Sequence, residues 1–355
     1  MVTGWTFAPL VAPLLVPRRP MRKLRAPGLL FFVTIHCLAA PQPEGVRRIK
    51  LLNYPDCIEL SNANTTVVLG HHVGGRVLKY AWKGSDALYL SPDEGKWDPS
   101  KPNPRPEVSA GRFDIGPEYL IPRREILWSG TWTAEVTGPR AARLTSAPDP
   151  ATGVQLVREF KLDPASSHLA CTQIIRNVSR ETKYWCHWSR TFARDGGIGV
   201  VPLTPAQSKF PNGYVLYQPG PESAIRARPT DPNIRTRDGF VEIVGPPAFP
   251  KLGFDSFAGW FAYQMPNDLA FVKRYATYPD GVYNEVAGLT ISIWYPKPEQ
   301  VPAVELEPIG PRNVIAPGGS ASFTEHWWLL ENPFPKAGAS LDLKALAAKV
   351  AAETR

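Results

Sequence analysis

Proline and glycine recur along the whole chain, and their distribution is the strongest constraint on its fold. The 355 residues include 39 prolines and 28 glycines, so few stretches between them are long enough for a helix of several turns. Short segments bounded by these residues are typical of strands joined by turns. Hydrophobic residues make up 43% of the chain, which is enough to form a core. The sequence therefore predicts an ordered protein built from strands.

Alternating apolar and polar residues support this prediction at many places. In one nine-residue segment, Val154, Leu156, Phe160 and Leu162 fall on the same face of an extended chain. Other strands are predicted at 65–69, 74–82, 87–90, 128–136, 142–145, 239–244, 258–264, 270–275, 289–295, 303–307 and 321–330. Many strands at fairly even spacing predict an all-β fold, a large antiparallel β-sandwich, rather than alternating strands and helices.

Two local patterns refine the fold. Residues 168–177 and 183–192 are predicted to form a hairpin about the turn 178–182. A short C-terminal helix is predicted after Ser340, which can cap it, and its apolar residues Leu343, Leu346, Ala347 and Val350 follow helical spacing. The expected organisation is an N-terminal extension and signal peptide over 1–40, one β-sandwich domain over 41–335, and a helical tail over 336–355.

The first 40 residues are typical of an export signal. A basic segment, 21–25, precedes a short apolar run, 28–35. Small residues before Pro41 then offer a cleavage site. The apolar run is too short to span a membrane, so the mature chain is expected to have no stable membrane span and to be periplasmic or secreted. Met21 is the expected initiator. A lipid anchor at Cys37 is the less favoured alternative.

The net charge of +8 comes mostly from this same segment. Five basic residues and no acidic residue precede position 41, which leaves 35 basic and 32 acidic residues in the rest of the chain, a net charge of +3. A run of basic residues or a basic helix is absent from the later sequence, so nucleic acid is not an expected partner.

Cysteine and histidine usage argues against a metal or cofactor site. Cys57, Cys171 and Cys186 would remain in the mature chain, and three cysteines allow one disulfide and one thiol without indicating the pairing. The adjacent His71 and His72 have no carboxylate or cysteine at ligand spacing, so we expect a surface turn there. Neither a metal nor another cofactor is predicted.

Several short motifs occur in an order that resembles that of the aldose 1-epimerases, which include the galactose mutarotases. A strand with Glu305-Leu306-Glu307 precedes a Pro-Gly turn at 316–319 and a last strand at 322–328. A nearer likeness is to a bacterial family of uncharacterised mutarotase-like domains, and it spans roughly residues 49–333. Its further marks are Gly74-Gly75-Arg76, Asn177, Trp188-Ser189 and Tyr278-Pro279-Asp280-Gly281. The resemblance implies a galactose-mutarotase-like sandwich that handles sugars, with carbohydrate, a mono- or oligosaccharide, as its partner.

The resemblance also implies catalytic roles for two residues. Glu307 falls where the family has its general base, and His187 falls near its general acid, although the family's Asn-His-x-Tyr-Phe-Asn signature is absent around His187. Opening a hemiacetal removes one proton and supplies another, so an acid and a base must face the same ring.

The same residues also have ordinary structural interpretations. Glu305 and Glu307 share one face of a strand, where they could hold sugar hydroxyls or simply face solvent. His187 alternates with Ser189 and Thr191 on one face of its strand, while Trp188 and Arg190 lie on the other. A single histidine in an aromatic strand is commonly a core residue.

A charged segment near the middle of the first half supplies the other predicted sugar ligands. Arg112, Asp114 and Glu118 lie in a stretch flanked by glycine and proline, where they could grip adjacent hydroxyls or form an ordinary charged loop. Trp128 and Trp132 follow as candidate platforms for a sugar ring. The complete predicted set is His187 and Glu307 as catalytic residues, with Arg112, Asp114, Glu118, Trp128, Trp132, Arg190 and Glu305 as substrate ligands.

Three functions follow from these observations. The leading hypothesis is an exported, carbohydrate-handling enzyme, epimerase-like or lyase-like, that performs acid–base chemistry on a sugar. The alternatives are a glycan-binding protein without catalysis and a structural protein of the cell envelope. The orientation of His187 and Glu307 tests between them, because catalysis by this pair requires that both side chains point into one cleft.

Overall fold

The fold is described from a computed structural model, which covers residues 42–105, 107–218, 224–297 and 299–354. Residues 42–355 belong to one compact unit. The predicted signal segment 1–40 lies outside the described residues. Two antiparallel sheets dominate the described chain, so the predicted all-β sandwich is confirmed.

The first sheet has thirteen strands, and its main path runs in the order β1-β2-β3-β4-β6-β11-β21-β20-β17-β13-β14, with β5 paired to β4 and β22 paired to β11. Its strands are β1 (Val46–Leu51), β2 (Tyr54–Ser61), β3 (Thr65–Gly70), β4 (Arg76–Trp82), β5 (Ser85–Asp86), β6 (Gly111–Gly116), β11 (Lys183–Arg194), β13 (Tyr214–Gln218), β14 (Ala224–Arg226), β17 (Lys251–Phe254), β20 (Ile291–Trp294), β21 (Ala303–Pro308) and β22 (Asn313–Ile315).

The second sheet has ten strands in the order β15-β16-β12-β18-β19-β23-β10-β9-β8-β7. Its strands are β7 (Thr133–Gly138), β8 (Ala141–Thr145), β9 (Val154–Leu162), β10 (Leu169–Asn177), β12 (Ile198–Pro202), β15 (Ile234–Arg237), β16 (Phe240–Ile243), β18 (Trp260–Gln264), β19 (Leu269–Tyr275) and β23 (Ser320–Glu331).

Helical structure in the described chain is brief. The α-helices are α1 (Glu125–Trp128) and α2 (Leu343–Glu353), and single 3₁₀ turns occupy Pro92–Lys96, Glu118–Leu120 and Val286–Gly288. The predicted C-terminal helix is confirmed as α2. Its cap is Asp342, whose carboxylate accepts a hydrogen bond from the Ala345 amide at 2.9 Å, and not Ser340. No helix among the described residues has the length and apolar composition needed to cross a bilayer.

The main core lies between the two sheets and follows from the alternation visible in the sequence. Val154, Leu156, Phe160 and Leu162 of β9 are buried there, as the period of two predicts. Leu343, Leu346 and Val350 of α2 belong to a second buried cluster with residues of the second sheet. The apolar face of the tail helix therefore covers that sheet on the side away from the main core.

The predicted hairpin between residues 168 and 192 is wrong. Strand β10 pairs with β9 and β23 in the second sheet, whereas β11 pairs with β6, β21 and β22 in the first sheet. The segment 178–182 therefore carries the chain from one sheet to the other. A short polar connection marks a change of direction, but it does not decide which strands pair.

The predicted strand 128–136 is also shorter than expected. Trp128 ends helix α1, and β7 begins at Thr133. Between them Trp132 packs against the backbone of Gly75, where a Cβ atom would lie 2.3 Å from the indole Cε3. The tryptophan side chain thus requires glycine at position 75, and this close approach explains part of the Gly-Gly pair before β4.

The two faces of the first sheet differ in their surroundings. On β21, Val304 and Leu306 join the main core between the sheets. Glu305 and Glu307 alternate with them along the strand and therefore point to the opposite face. On β11, Cys186 and Trp188 belong to a separate buried cluster on that opposite face. We call the face of the first sheet that is turned away from the second sheet the distal face.

The three described cysteines are buried free thiols: Cys57, Cys171 and Cys186. Each lies in a different buried cluster. The disulfide that an odd number of cysteines allowed does not form among them.

Candidate functional site

Charged side chains from adjacent strands meet on the distal face. Antiparallel pairing places Arg112 of β6 opposite Arg190 of β11 and Ser292 of β20 opposite Glu307 of β21. Lys251 of β17 lies opposite Trp294 of β20, which in turn lies opposite Glu305. Directly opposed residues share a face of the sheet, so register alone assembles these groups.

Arg190 is the centre of this arrangement. Its Nε donates a hydrogen bond to Glu305 Oε1 at 2.9 Å, and its Nη2 donates to Glu305 Oε2 at 3.4 Å. The same Nε lies 3.8 Å from Glu307 Oε1, and Nη1 lies 3.8 Å from Asp114 Oδ2. The guanidinium carbon also sits 4.7 Å from the ring centre of Trp188. Arg190 thus links three carboxylates that come from two strands.

Glu307 is fully buried between two cations but remains poorly hydrogen-bonded. Its Oε2 lies 3.8 Å from Lys251 Nζ, and Arg190 approaches from the other side. By geometry neither carboxylate oxygen of Glu307 has a hydrogen-bond partner among the described residues, although Glu305 and Ser292 lie close enough for hydrogen bonding to help lower its pKa. A buried carboxylate ordinarily accepts several well-formed hydrogen bonds, so Glu307 is incompletely satisfied in this arrangement.

Glu305 and Glu307 titrate as one unit. Burial raises the pKa of Glu305 well above its usual range, and the neighbouring Glu307 adds to the effect against the opposing influence of Arg190. Burial alone would also raise the pKa of Glu307, but Lys251 and Arg190 outweigh it and hold that pKa below its ordinary value. Two carboxyls whose pKa values are driven apart can provide a proton donor beside an ionised acceptor.

Asp114 and Arg124 form a second ion pair beside Arg190. Arg124 Nε donates to Asp114 Oδ1 at 2.7 Å, and its Nη2 contacts Oδ2. Burial would raise the pKa of Asp114, but Arg124 outweighs it and lowers the pKa. Asp114 is therefore already engaged by an arginine, which leaves it less available for a ligand.

Trp128 lies on the distal face, but its ring is covered by cations. Arg112 lies closest, with its guanidinium carbon 4.1 Å from the ring centre. Arg190, Arg124 and Arg105 follow at 5.1, 5.3 and 5.9 Å. Cations stack favourably on an indole, so the role that the structure supports for Trp128 is to hold guanidinium groups rather than to offer a bare platform.

Glu118, Lys251 and Glu285 form a third charged group at the margin of the site. Lys251 Nζ lies 3.2 Å from Glu118 Oε2, and Glu118 is half-buried. The Glu118 amide donates a hydrogen bond to Glu285 Oε2 at 2.7 Å. Burial raises the pKa of Glu285 to about 7. Of these residues, only Glu118 was predicted as a site residue.

A cavity of about 380 Å³ opens next to this cluster. Trp294 lines it and lies opposite Glu305 across β20 and β21. Glu94 and Arg105 line it as well, and Arg105 shares the Trp128 ring with Arg112. Its volume is within the range of small-ligand sites, but neither Glu305 nor Glu307 lines it.

His187 does not join the site. Its ring stacks between Phe113 and Phe323, with centroid distances of 5.6 and 5.7 Å, and its Nε2 lies 3.2 Å from the Ala321 carbonyl oxygen. Burial lowers the pKa of His187 to about 4. Because His187 lies on the inward face of β11, the sheet itself separates it from Glu307, and the expected pairing of these two side chains in one cleft is not observed.

Trp132 is also remote from the charged cluster. Its ring belongs to the main core between the sheets, and its Nε1 donates to the Leu127 carbonyl at 3.3 Å. The expected sugar platform at this position is therefore a packed core residue. Of the predicted residues, the distal face brings together Arg112, Asp114, Glu118, Trp128, Arg190, Glu305 and Glu307.

Lys251, Glu285 and Arg124 belong to the site but were not predicted from the sequence. Lys251 lies on a short segment outside the motifs, Glu285 follows the motif at 278–281 by four residues, and Arg124 follows the charged segment that contains Arg112, Asp114 and Glu118. Adjacent arginines at 123 and 124 were the one local signal, because charged pairs beside a predicted ligand segment can reach the same site. Groups of histidine, cysteine and carboxylate that could hold a metal ion are absent from the described residues.

Comparisons with known proteins identify the fold. No protein-family model and no curated protein matches the chain. A galactose mutarotase-like protein from Lactobacillus casei aligns with a TM-score of 0.54 and 9% identity, over 77% of this chain and 100% of that one. A galactose mutarotase-like protein from Clostridium acetobutylicum aligns with a TM-score of 0.52 and 10% identity, over 81% and 99%.

A third solved structure supports the same assignment. A putative aldose 1-epimerase from Escherichia coli aligns with a TM-score of 0.51 and 13% identity, over 77% of this chain and 98% of that one. At such low identity these likenesses establish the fold alone. The galactose-mutarotase-like sandwich expected from the sequence is thereby confirmed.

Proposed function

We propose that this chain, whose fold is galactose-mutarotase-like, binds a carbohydrate on its distal face and performs acid–base chemistry on it. The observation that carries the proposal is Glu307, a fully buried carboxylate between Arg190 and Lys251 whose two oxygens have no hydrogen-bond partner of ordinary geometry among the described residues. A sugar presents several hydroxyl donors, which such a carboxylate can accept. Ordinary structural ion pairs satisfy their oxygens more completely.

In this proposal the acid and the base are the two adjacent glutamates. Lys251 and Arg190 keep Glu307 ionised, so it accepts the proton of a sugar hydroxyl. Glu305, whose pKa burial raises, supplies a proton to an oxygen of the same ring. Opening a hemiacetal needs these two transfers at once. This assignment retains the role expected for Glu307 and replaces His187 with Glu305 as the proton donor.

The substitution Glu307→Gln tests the proposal. A thermal-shift screen of reducing sugars identifies a ligand, and NMR exchange spectroscopy then measures interconversion of its anomers. We expect Glu307→Gln to lower the rate roughly 100-fold or more, because the amide cannot accept a proton, while binding is largely retained. Unchanged turnover in this variant would remove Glu307 from the mechanism.

Glu242→Gln is the matched control for this experiment. Glu242 is as buried as Glu307 and is held by Arg237 at 2.9 Å, but it lies on the second sheet. We expect this variant to lose stability and to keep the turnover of the folded fraction. A comparable loss of turnover in both variants would indicate a general effect of removing a buried carboxylate rather than a catalytic role.

A second candidate function is glycan binding without turnover. The position of His187 on the inward face favours it, because the acid implied by the family resemblance is then missing from the distal face. A ligand that binds with measurable affinity and shows no anomeric or covalent change with the wild-type protein would favour this alternative. Glu307→Gln would then weaken binding instead of turnover.

We also propose that the protein is exported and that the segment preceding Pro41 is removed. The support is the basic, apolar and small-residue pattern within residues 21–40. N-terminal sequencing of the protein from its native host provides the test, and we expect the mature chain to start close to Pro41. A mature chain that begins at Met1 contradicts the proposal.

A further inference from the structure

Arg112 presents an unused hydrogen-bonding edge on the distal face. Its Nη1 donates to the Trp128 carbonyl oxygen at 3.0 Å. Its Nε and Nη2 are buried, and neither has a hydrogen-bond partner among the described residues. The side chain as a whole is about 2% exposed. Two parallel N–H donors therefore have no acceptor. An unsatisfied donor lowers the stability of a buried guanidinium unless a ligand accepts its hydrogen bond.

In other arginines of this protein the same edge holds the two oxygens of a carboxyl group. Arg190 uses Nε and Nη2 for the two oxygens of Glu305, and Arg124 does the same with Asp114. Arg237 holds Glu242 with these atoms at 3.1 and 2.9 Å. The edge formed by Nε and Nη2 matches the spacing of two carboxylate oxygens. At Arg112 this geometry is present without its anion.

The acidic side chains around Arg112 are already engaged by other cations. Arg76 Nη2 donates to Glu94 Oε2 at 2.9 Å, Arg124 holds Asp114, and Arg190 holds Glu305. Arg112 makes no ion pair within 4 Å in the described part of the chain. Burial, together with the neighbouring Arg76, holds the pKa of Arg112 well below its usual range, which reflects this uncompensated positive charge.

The open edge lies near the carboxyl pair, and the cavity is lined by Arg105, which shares the Trp128 ring with Arg112. Arg112 and Arg190 are directly opposed on adjacent strands, and β21, which carries Glu307, is the next strand. Arg112 and Glu307 are therefore two strand spacings apart, about 10 Å between backbones. Side chains that reach toward one another across this span can contact two ends of a single sugar ring.

We infer that the proposed sugar site is selective for an acidic sugar, a hexuronic acid, whose carboxylate binds side-on to Nε and Nη2 of Arg112. The inference rests on the proposed function, because it assigns the substrate class of the same site. The sugar carboxylate replaces the missing protein carboxylate, and Glu307 accepts hydrogen bonds from the ring hydroxyls. A neutral hexose leaves the arginine edge without an anion and binds more weakly.

Arg158 provides a matched control. It is fully buried, and its Nε and Nη2 also lack partners among the described residues. However, its Nη1 donates to the Gly75 and Gly111 carbonyls from the β9 side, so it lies in the interior between the sheets. A ligand on the distal face does not reach it. Loss of Arg158 therefore tests the effect of removing a buried arginine without removing the proposed anion site.

The test compares glucuronate with glucose, and galacturonate with galactose, on the full-length protein by isothermal titration calorimetry. We expect the wild-type protein to prefer the acid of at least one pair by roughly 10- to 100-fold, the contribution of hydrogen bonds to a charged group. Arg112→Lys keeps the charge but loses the two-donor edge, and it should remove most of this preference. Arg158→Lys should keep it.

Each outcome decides between the proposals. In one outcome, neutral sugars bind as tightly as their acids, while Glu307→Gln still reduces turnover or binding. This outcome overturns the inference about Arg112 and leaves the proposed function intact. Preference for glucose 6-phosphate over glucuronate overturns the assignment to a carboxylate. Absence of binding to all of these sugars overturns both. If Arg112→Lys does not fold, the wild-type protein still tests the inference, because equal affinity for the acidic and the neutral sugar would overturn it.

Discussion

At the scale of single residues, burial shifts the pKa of a charged group unless a nearby opposite charge outweighs it. Glu285 shows the effect most simply, since it is fully buried and its Oε2 accepts one backbone hydrogen bond, from Glu118. Its Oε1 has no partner in the described structure. Because burial outweighs the opposing influence of Lys251 and of the Glu118 and Val286 amides, the charged form is disfavoured and the pKa rises to about 7.

This shift predicts that Glu285 makes stability depend on pH. A carboxyl whose pKa is raised on folding contributes stability that is complete below its unfolded pKa, about 4.5, and lost as the pH rises through about 7. We expect the Glu285→Gln variant to lack this loss. From urea unfolding, the wild-type free energy should fall relative to the variant by about 2–3 kcal/mol between pH 4.5 and pH 8. An equal difference at both pH values would contradict the prediction.

At the scale of secondary-structure elements, local sequence signals locate an element more reliably than they locate its ends. Helix α2 was expected from its apolar spacing, and the structure contains it. The predicted cap was Ser340, but the helix begins at Leu343 behind Asp342. Both residue types are good caps, so the sequence pattern allowed either position. The packing of Leu343 and Leu346 into their buried cluster selects the one used.

The two candidate caps make separate predictions. Asp342→Ala removes the carboxylate that accepts the Ala345 amide, and we expect it to lower the free energy of unfolding by about 1 kcal/mol. Ser340→Ala should change it by less than about 0.5 kcal/mol. Chemical denaturation of the two variants beside the wild type measures both values. A larger loss of stability for Ser340→Ala than for Asp342→Ala would indicate that Ser340 caps the helix.

At the scale of the whole molecule, the lysine of a buried ion pair joins the two sheets. Lys273 of the second sheet lies 3.1 Å from Glu325 and donates to Thr191 Oγ1 at 2.8 Å and to the Leu306 carbonyl at 3.0 Å in the first sheet. These last two residues belong to β11 and β21, which carry Arg190 and Glu307 on their other face. The interior pair thus fixes the strands that support the site.

Removal of the lysine alone should therefore be costly. Lys273→Met leaves Glu325 fully buried without its cation, and we expect a loss of about 3–5 kcal/mol in the free energy of unfolding. The double variant Lys273→Met with Glu325→Leu removes both charges and should be less destabilised than the sum of the single variants. Additive losses in a double-mutant cycle would show that the two side chains are not coupled.

Much of the fold could be predicted because strands leave a local signal. The alternation in β9 places Val154, Leu156 and Phe160 in the core, as the period of two requires. Pairing left no such signal, so residues 168–177 and 183–192 were expected to pair with each other and instead belong to different sheets. The partner of a strand depends on contacts between residues distant in the chain.

The candidate site divides in the same way. That Glu305 and Glu307 share a face, and that His187 and Arg190 take opposite faces, followed from the sequence alone, because neighbouring side chains in a strand alternate. Which face meets the second sheet, and which receives Lys251 and Glu285, was decided only by the tertiary structure. The physical reason is that alternation is a property of a single strand, whereas burial, charge pairing and the open edge of Arg112 arise when separate strands come together.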